Sequence, residues 1–166
     1  HNALTFIFTA QGVPCIYYGT EQEFAGGNDP SNREDLWPTE FSTAKPTFKH
    51  IQRLAKIRKD RAALRKGGIQ VTWASERSAD EEDAGIFAFE RAGLDAGDDY
   101  ALVVFNAHLT KASAPGFMGS PMLVSAGPGT TLSDLLGSGR SVTVGGDGSV
   151  VIDPPLEPQT AVILAP

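Results

Sequence analysis

The six residues from Val13 to Tyr18, closed off by Gly12 and Gly19, constrain this chain more than any other segment. A short apolar run with two aromatics and glycine punctuation reads as a strand buried on both faces. The segment in front of it, Asn2–Gln11, is amphipathic. Leu4, Ile7 and Phe8 follow helical spacing, and Gly12 with Pro14 just beyond stops the run. The segment behind it is a loop crowded with Glu21, Glu23, Asp29, Arg33, Glu34 and Asp35, beside the aromatics Phe24 and Trp37. Ligand chemistry in parallel α/β folds sits just past the carboxyl ends of strands, so this loop is where a site is expected. Phe48, Ile51, Leu54 and Ile57 then recur every third residue, with Ala55 and Ala62 on the same side, and predict a helix over 46–64. Pro46 suits its first turn, and Ser42 or Thr43 could cap it. The order is helix, strand, loop, helix.

Gly67-Gly68 ends the helical pattern and marks the expected boundary between residues 1–66 and 67–166. Beyond it the periodicity becomes alternating. Residues 69–74, 86–91, 100–107, 122–125, 141–144, 149–152 and 160–164 read as strands. Gly145-Gly146-Asp147-Gly148 reads as a hairpin turn between two valine-rich runs. Residues 79–83 and 93–99 read as solvated acidic loops. Seven or eight short strands separated by turns make an antiparallel sandwich, and about 100 residues can bury a core of their own.

Gly12-x-Pro14-x-Ile16-Tyr17-Tyr18-Gly19-x-Glu21, followed by Gly26-Gly27-Asn28-Asp29-Pro30-x-Asn32-Arg33-Glu34, resembles the alpha-amylase family of glycoside hydrolases. In that family this stretch is the eighth barrel strand and the loop after it. The match is tight over residues 3–37 and rests on pattern and spacing over 67–166. The resemblance implies an α/β plus all-β fold. A whole (β/α)8 barrel takes roughly 250 residues, so residues 1–66 are expected to be its last helix–strand–helix segment, and 67–166 its C-terminal antiparallel sandwich domain.

The resemblance also implies a function: the C-terminal part of a retaining, alpha-glucan-active enzyme acting through a covalent glycosyl-carboxylate intermediate. The family's three catalytic carboxylates follow the fourth, fifth and seventh strands and would lie before His1, so no catalytic residue is expected here. Asp29 and Arg33 resemble residues that line a glucose site away from the scissile bond. A carboxylate accepting from adjacent hydroxyls and a guanidinium donating to ring substituents would hold a sugar in register. Read without the family, the two could simply pair with each other, or Arg33 could tie down Glu34 or Asp35. Trp37 could stack on a glucose face or wedge the loop against the helix behind it. Glu21 and Glu23 superficially suit paired-carboxylate chemistry, but Glu21 matches a family position read as organising the loop. Tyr17 and Tyr18 would face opposite sides of the strand, with core packing the expected role of both. The family's calcium site is built mostly from segments outside this sequence. No cofactor or metal is therefore expected of these residues, and calcium stays an expectation for the longer protein. The implied partners are an alpha-glucan or maltooligosaccharide and the remainder of the barrel. Two rival readings are a carbohydrate-binding sandwich module and a catalytically inactive, amylase-like interaction subunit.

Composition closes off other classes. A hydrophobic content of 41% with 20% charged residues is ordinary for a globular chain. The longest apolar stretch, Ala3–Ala10, is broken by two threonines and falls far short of the ~20 residues of a membrane span. The single cysteine, Cys15, excludes an internal disulfide and a cysteine zinc site, and inside a buried strand it would act as a small apolar residue. The absence of disulfides fits a cytoplasmic or a simple secreted enzyme, with secretion slightly favoured. The net charge of −6 is segregated, because nine of the fourteen cations fall between residues 45 and 66. No aromatic stacking partners are interleaved with them and both flanks are acidic. That argues for a solvated helix face, docked in part against the acidic sandwich, and against nucleic-acid binding. His1, His50 and His108 are scattered one per element, without ligand spacing.

Overall fold

A computed structural model describes residues 1–77 and 80–166. Among them are α1 (Asn2–Thr9), α2 (Pro46–Asp60) and α3 (Ala62–Lys66). The strands are β1 (Gly68–Ala74), β2 (Ile86–Ala92), β3 (Ala101–Asn106), β4 (Gly116–Phe117), β5 (Ser120–Leu123), β6 (Thr131–Asp134), β7 (Ser141–Thr143), β8 (Ser149–Val150) and β9 (Thr160–Ala165). A six-stranded sheet runs β1-β2-β3-β9-β6-β7, and a three-stranded sheet runs β4-β5-β8. All pairings are antiparallel.

The large sheet is covered on both faces. Leu102 and Val104 of β3, Ile86 and Ala88 of β2, and Val162 and Leu164 of β9 point toward the small sheet and pack with Met122, Val150 and Ile152. Their alternates, Val103, Phe105, Phe89 and Ile163, point the other way and pack under Leu4, Phe8, Leu54, Ile57 and Leu64 of the helices. Side chains alternate along a strand, so a strand covered on both faces is apolar wherever its side chains have no polar partner. That is why 101–105 reads Ala-Leu-Val-Val-Phe.

Two strands escape the sequence pattern. β6 has one inward apolar residue, Leu132, among exposed or half-buried neighbours, and β4 is two residues long. The turn at 145–148 closes, with the Gly148 N–H donating to the Gly145 carbonyl at 3.0 Å. Its flanking strands go to different sheets, however: β7 pairs with β6 and β8 with β5. It is a crossing between layers rather than a hairpin. The acidic loop of 79–83 begins at Ala79, outside the described residues. Its last member, Asp83, is fully buried instead of solvated, and accepts from Trp73 Nε1 at 2.8 Å and Arg77 at 2.7 Å.

The helical part departs from expectation in three ways. The long helix breaks at Arg61, whose extended backbone separates α2 from α3. Ala55 lies outside the buried stripe, while Ala63 and Leu64 fill it. Most important, the strand expected at Val13–Tyr18 does not form. These residues carry no regular structure, and Val13 is 94% exposed. A parallel strand needs a ladder on at least one side, and among the described residues no strand lies beside this one. Cys15, Tyr17 and Tyr18 are therefore exposed too, and the two tyrosine rings pack on each other at 4.8 Å.

Candidate functional site

The loop between Gly19 and Phe41 is anchored at its two ends and open in the middle. Gly19 begins a short 3-10 turn, Thr20–Gln22, at φ +85°, and a Cβ there would come within 2.3 Å of the Phe24 ring. Left-handed backbone and lack of room both demand glycine. Gln22 is buried and donates from Nε2 to the Ser42 carbonyl at 3.0 Å, tying the two ends together. Glu23 reaches the start of α2, where Oε1 accepts from the Thr47 hydroxyl at 2.9 Å and the Thr47 N–H at 3.3 Å. The cap of α2 is thus a carboxylate at its positive end, supplied from the loop and not by Ser42 or Thr43. A carboxylate so engaged is a structural group, which removes Glu23 from any paired-acid reading.

Asp29 and Arg33 sit on the open stretch. They form an ion pair at 2.8 Å, and both side chains are well exposed. The Arg33 N–H donates to the Pro30 carbonyl at 3.0 Å, and the Gly26 N–H donates to Glu34 Oε1 at 3.1 Å, which occupies Glu34 within the loop. Arg33 bonds to neither Glu34 nor Asp35 here. Trp37 starts a second 3-10 turn, is 77% exposed, and meets Phe41 edge-to-face at 5.3 Å. The arrangement offers a carboxylate acceptor and guanidinium donors already mutually oriented, with an indole face and two phenols nearby in sequence. Partial desolvation, then the adjoining Tyr17, pushes the Tyr18 phenol above its ordinary pKa. Groups of these types can exchange hydrogen bonds with hydroxyls and stack on a ring face.

Other polar groups serve the fold. His1 and His50, far apart in sequence, stack at 4.3 Å, and His50 Nε2 lies 3.1 Å from the Thr5 hydroxyl. Burial, with the nearby amino terminus and Arg53 adding to it, holds His50 below its ordinary pKa. His108 Nδ1 accepts from the Lys111 and Thr110 N–H groups. Among the described residues no three His, Cys, Asp or Glu side chains come together as a metal site, and no helix is long and apolar enough to cross a membrane.

The cations of 45–66 find carbonyls more often than carboxylates. Arg58 donates to the carbonyls of Phe8 at 2.7 Å, Ala10 at 3.3 Å and Gly12, closing the end of α1. Arg53 donates to the Leu136 carbonyl. Arg61 pairs with Asp99 at 3.1 Å and donates to the Pro166 carbonyl at 2.7 Å. Sequence reading missed these roles because charge count says nothing about which carbonyls a fold leaves open.

No protein-family profile matches the chain. It is 36% identical over 152 residues to a cyclomaltodextrin glucanotransferase of Bacillus sp. (strain 38-2), covering 89% of this chain and 19% of that protein. It is 33% identical over 152 residues to an alpha-amylase of Niallia circulans, covering 90% of this chain and 25% of that protein. Its fold superposes on the crystal structure of a gamma-cyclodextrin glucanotransferase from an alkalophilic Bacillus clarkii with a TM-score of 0.74 at 29% identity, covering 98% of this chain and 22% of that one. The chain spans about a fifth to a quarter of the length of the curated relatives it matches.

Proposed function

The chain belongs to the alpha-amylase family, and on that premise we propose that it is the closing segment of a retaining, alpha-glucan-active enzyme. Residues 1–66 would complete the catalytic barrel and 67–166 would form the sandwich packed against it. The catalytic carboxylates would come from the remainder of the barrel. Asp29, Arg33 and Trp37 would line the substrate groove, the first two holding hydroxyls of one glucose unit and the indole stacking on a ring face. Binding there positions the glucan for cleavage or rearrangement of an α-glucosidic bond at carboxylates supplied elsewhere.

One observation carries the reading. Val13–Tyr18 is apolar, largely exposed and, among the described residues, without a strand partner, and it leads directly into the loop bearing the exposed Asp29–Arg33 pair and Trp37. An apolar segment left in water is the mark of a surface that another element covers. In the longer protein that element would be the adjoining barrel strands, and the loop would then open at the strand's carboxyl end.

The test is substitution in the longer enzyme. Asp29→Ala and Arg33→Ala are expected to lower kcat/KM on maltooligosaccharides by about tenfold to a hundredfold, as loss of a charge-assisted hydrogen bond implies. Tm should move little, because an exposed ion pair contributes about 0–1 kcal/mol. Unchanged kcat/KM in both variants would end the assignment of the loop to the substrate. The 166-residue chain alone, incubated with starch, is expected to release no reducing ends.

A further inference from the structure

The open end of the sandwich holds a carboxylate whose surroundings use only half of it. Glu90, on β2, points between the two sheets and is 4% exposed. Tyr100 Oη donates to its Oε1 at 2.6 Å, and the Ser125 backbone N–H donates to the same oxygen. Oε2 accepts no hydrogen bond, and no ion pair reaches the group, among the described residues. A groove of about 390 Å³ opens on this carboxylate, walled by Ile69, Gln70, Leu94 and Ser125. Its apolar walls are left in water, with Leu94 74% exposed. The adjoining loop adds the exposed Asp95 and Asp98, and Asp98 lines a second groove that shares Ser125.

Removing a carboxylate from water is unfavourable, and two neutral donors on one oxygen offset only part of the loss. The strongest complement to what remains is a positive charge. A hard metal ion wants six or more oxygens, whereas this groove brings one free carboxylate oxygen between aliphatic walls. A sugar wants a ring face to stack on, and none lines the groove. A long basic side chain satisfies both halves, since its alkyl stem covers apolar surface while its head seeks a carboxylate. We propose that this groove binds a Lys or Arg side chain of a partner polypeptide, with the cationic head on Glu90 Oε2 and the stem along Ile69 and Leu94. This site lies on the sandwich and is independent of the proposed glucan groove.

The experiment titrates the 166-residue chain at low salt with Nα-acetyl-lysine methylamide and follows backbone amide resonances. The uncharged norleucine analogue, maltose and calcium chloride are the comparison arms. The lysine compound is expected to shift the amides of Leu94 and Ser125 saturably, while the other three leave them in place. Glu90→Gln should weaken the lysine response about tenfold, the effect of losing a charged hydrogen-bond partner. Leu94→Asn provides a second variant if the first disturbs the fold. Leu94 already sits at φ +52°, which asparagine tolerates, and its side chain is outside the core. It should also weaken lysine binding, by removing the stem's wall. An equal response to norleucine or maltose, saturation by calcium alone, or lysine binding unaltered in both variants would each overturn the proposal.

Discussion

Arg91 is the one cation of β2, and its side chain ends on backbone rather than on a carboxylate. It is fully buried on the helix-facing side of the sheet. Nε donates to the Gly68 carbonyl at 2.9 Å, one terminal nitrogen to Gly67 at 2.7 Å and the other to Thr9. Two of those acceptors, Gly67 and Thr9, lie at the negative ends of α3 and α1, so helix-end carbonyls stand in for a counter-ion. Arg91→Met keeps the bulk and leaves three carbonyls without a donor. A loss of about 3 kcal/mol in urea unfolding is expected, and Arg91→Lys should recover only part, since a point charge cannot span all three. A loss below about 1 kcal/mol would mean the carbonyls find other donors. Asp99 does the converse at the start of α3, accepting from the Ala63 N–H at 2.9 Å as well as from Arg61. Burial works to raise its pKa, but the Ala63 and Arg61 hydrogen bonds outweigh that and hold it below the ordinary carboxylate value. A lowered folded-state pKa gives stability that is present above the unfolded value, near 4, and lost as pH falls through the folded one. Asp99→Asn should therefore flatten the acid limb of the stability curve below about pH 5, measured as urea midpoint against pH. Neither residue was legible in the sequence. Arg91 meets Thr9 across 82 positions and Asp99 meets Ala63 across 36, and no local pattern records such a meeting.

At the scale of elements, legibility followed two-sided burial. β3 and β9 announced themselves because both faces are covered and the runs 101–105 and 161–165 are wholly apolar. β6 did not, because one leucine suffices where only one face is buried. The break between α2 and α3 was hidden because Arg61-Ala62-Ala63-Leu64 is good helical sequence, and the capping carboxylate that makes a new start there comes from Asp99. Val13–Tyr18 shows the opposite failure: its strand pattern is strong, yet pairing depends on neighbours that the pattern cannot supply. The passage from helix to sheet was found correctly from Gly67-Gly68, but the reason is specific to the first glycine. Its φ of −69° suits any residue. A Cβ there would stand 2.5 Å from the Ala63 carbonyl oxygen and 3.0 Å from the Ala92 nitrogen, whereas at Gly68 nothing comes nearer than 3.6 Å. Gly67→Ala is expected to destabilise by about 2–3 kcal/mol through forced backbone movement, and Gly68→Ala by less than about 1 kcal/mol. Equal thermal shifts for the two variants would contradict a steric cause.

For the whole molecule, the charge segregation and the two-faced sheet describe one design. Among the cations of 45–66, Arg58 closes carbonyls at the end of α1, while Arg53 and Arg61 donate to the Leu136 and Pro166 carbonyls, which fastens the helical layer to the sandwich by contacts to backbone. The large sheet needs that layer. Without it Phe89, Val103, Phe105 and Ile163, all on one face, would stand in water. The sandwich keeps its second core, built around Leu102, Met122, Leu132 and Ile152, so its strands can still pair. Residues 67–166 expressed alone are therefore expected to retain β structure by circular dichroism yet expose a continuous apolar face. Binding of a hydrophobic dye and self-association at micromolar concentration should follow, together with a lower Tm than the 166-residue chain. Supplying residues 1–66 as a separate chain should quench the dye and restore the monomeric sandwich's stability, because the face is complementary to Leu4, Phe8, Leu54, Ile57 and Leu64. If 67–166 alone is monomeric, silent to the dye and as stable as the whole, the helical layer is a passenger on the sheet, and its shared core contributes nothing that the sandwich lacks.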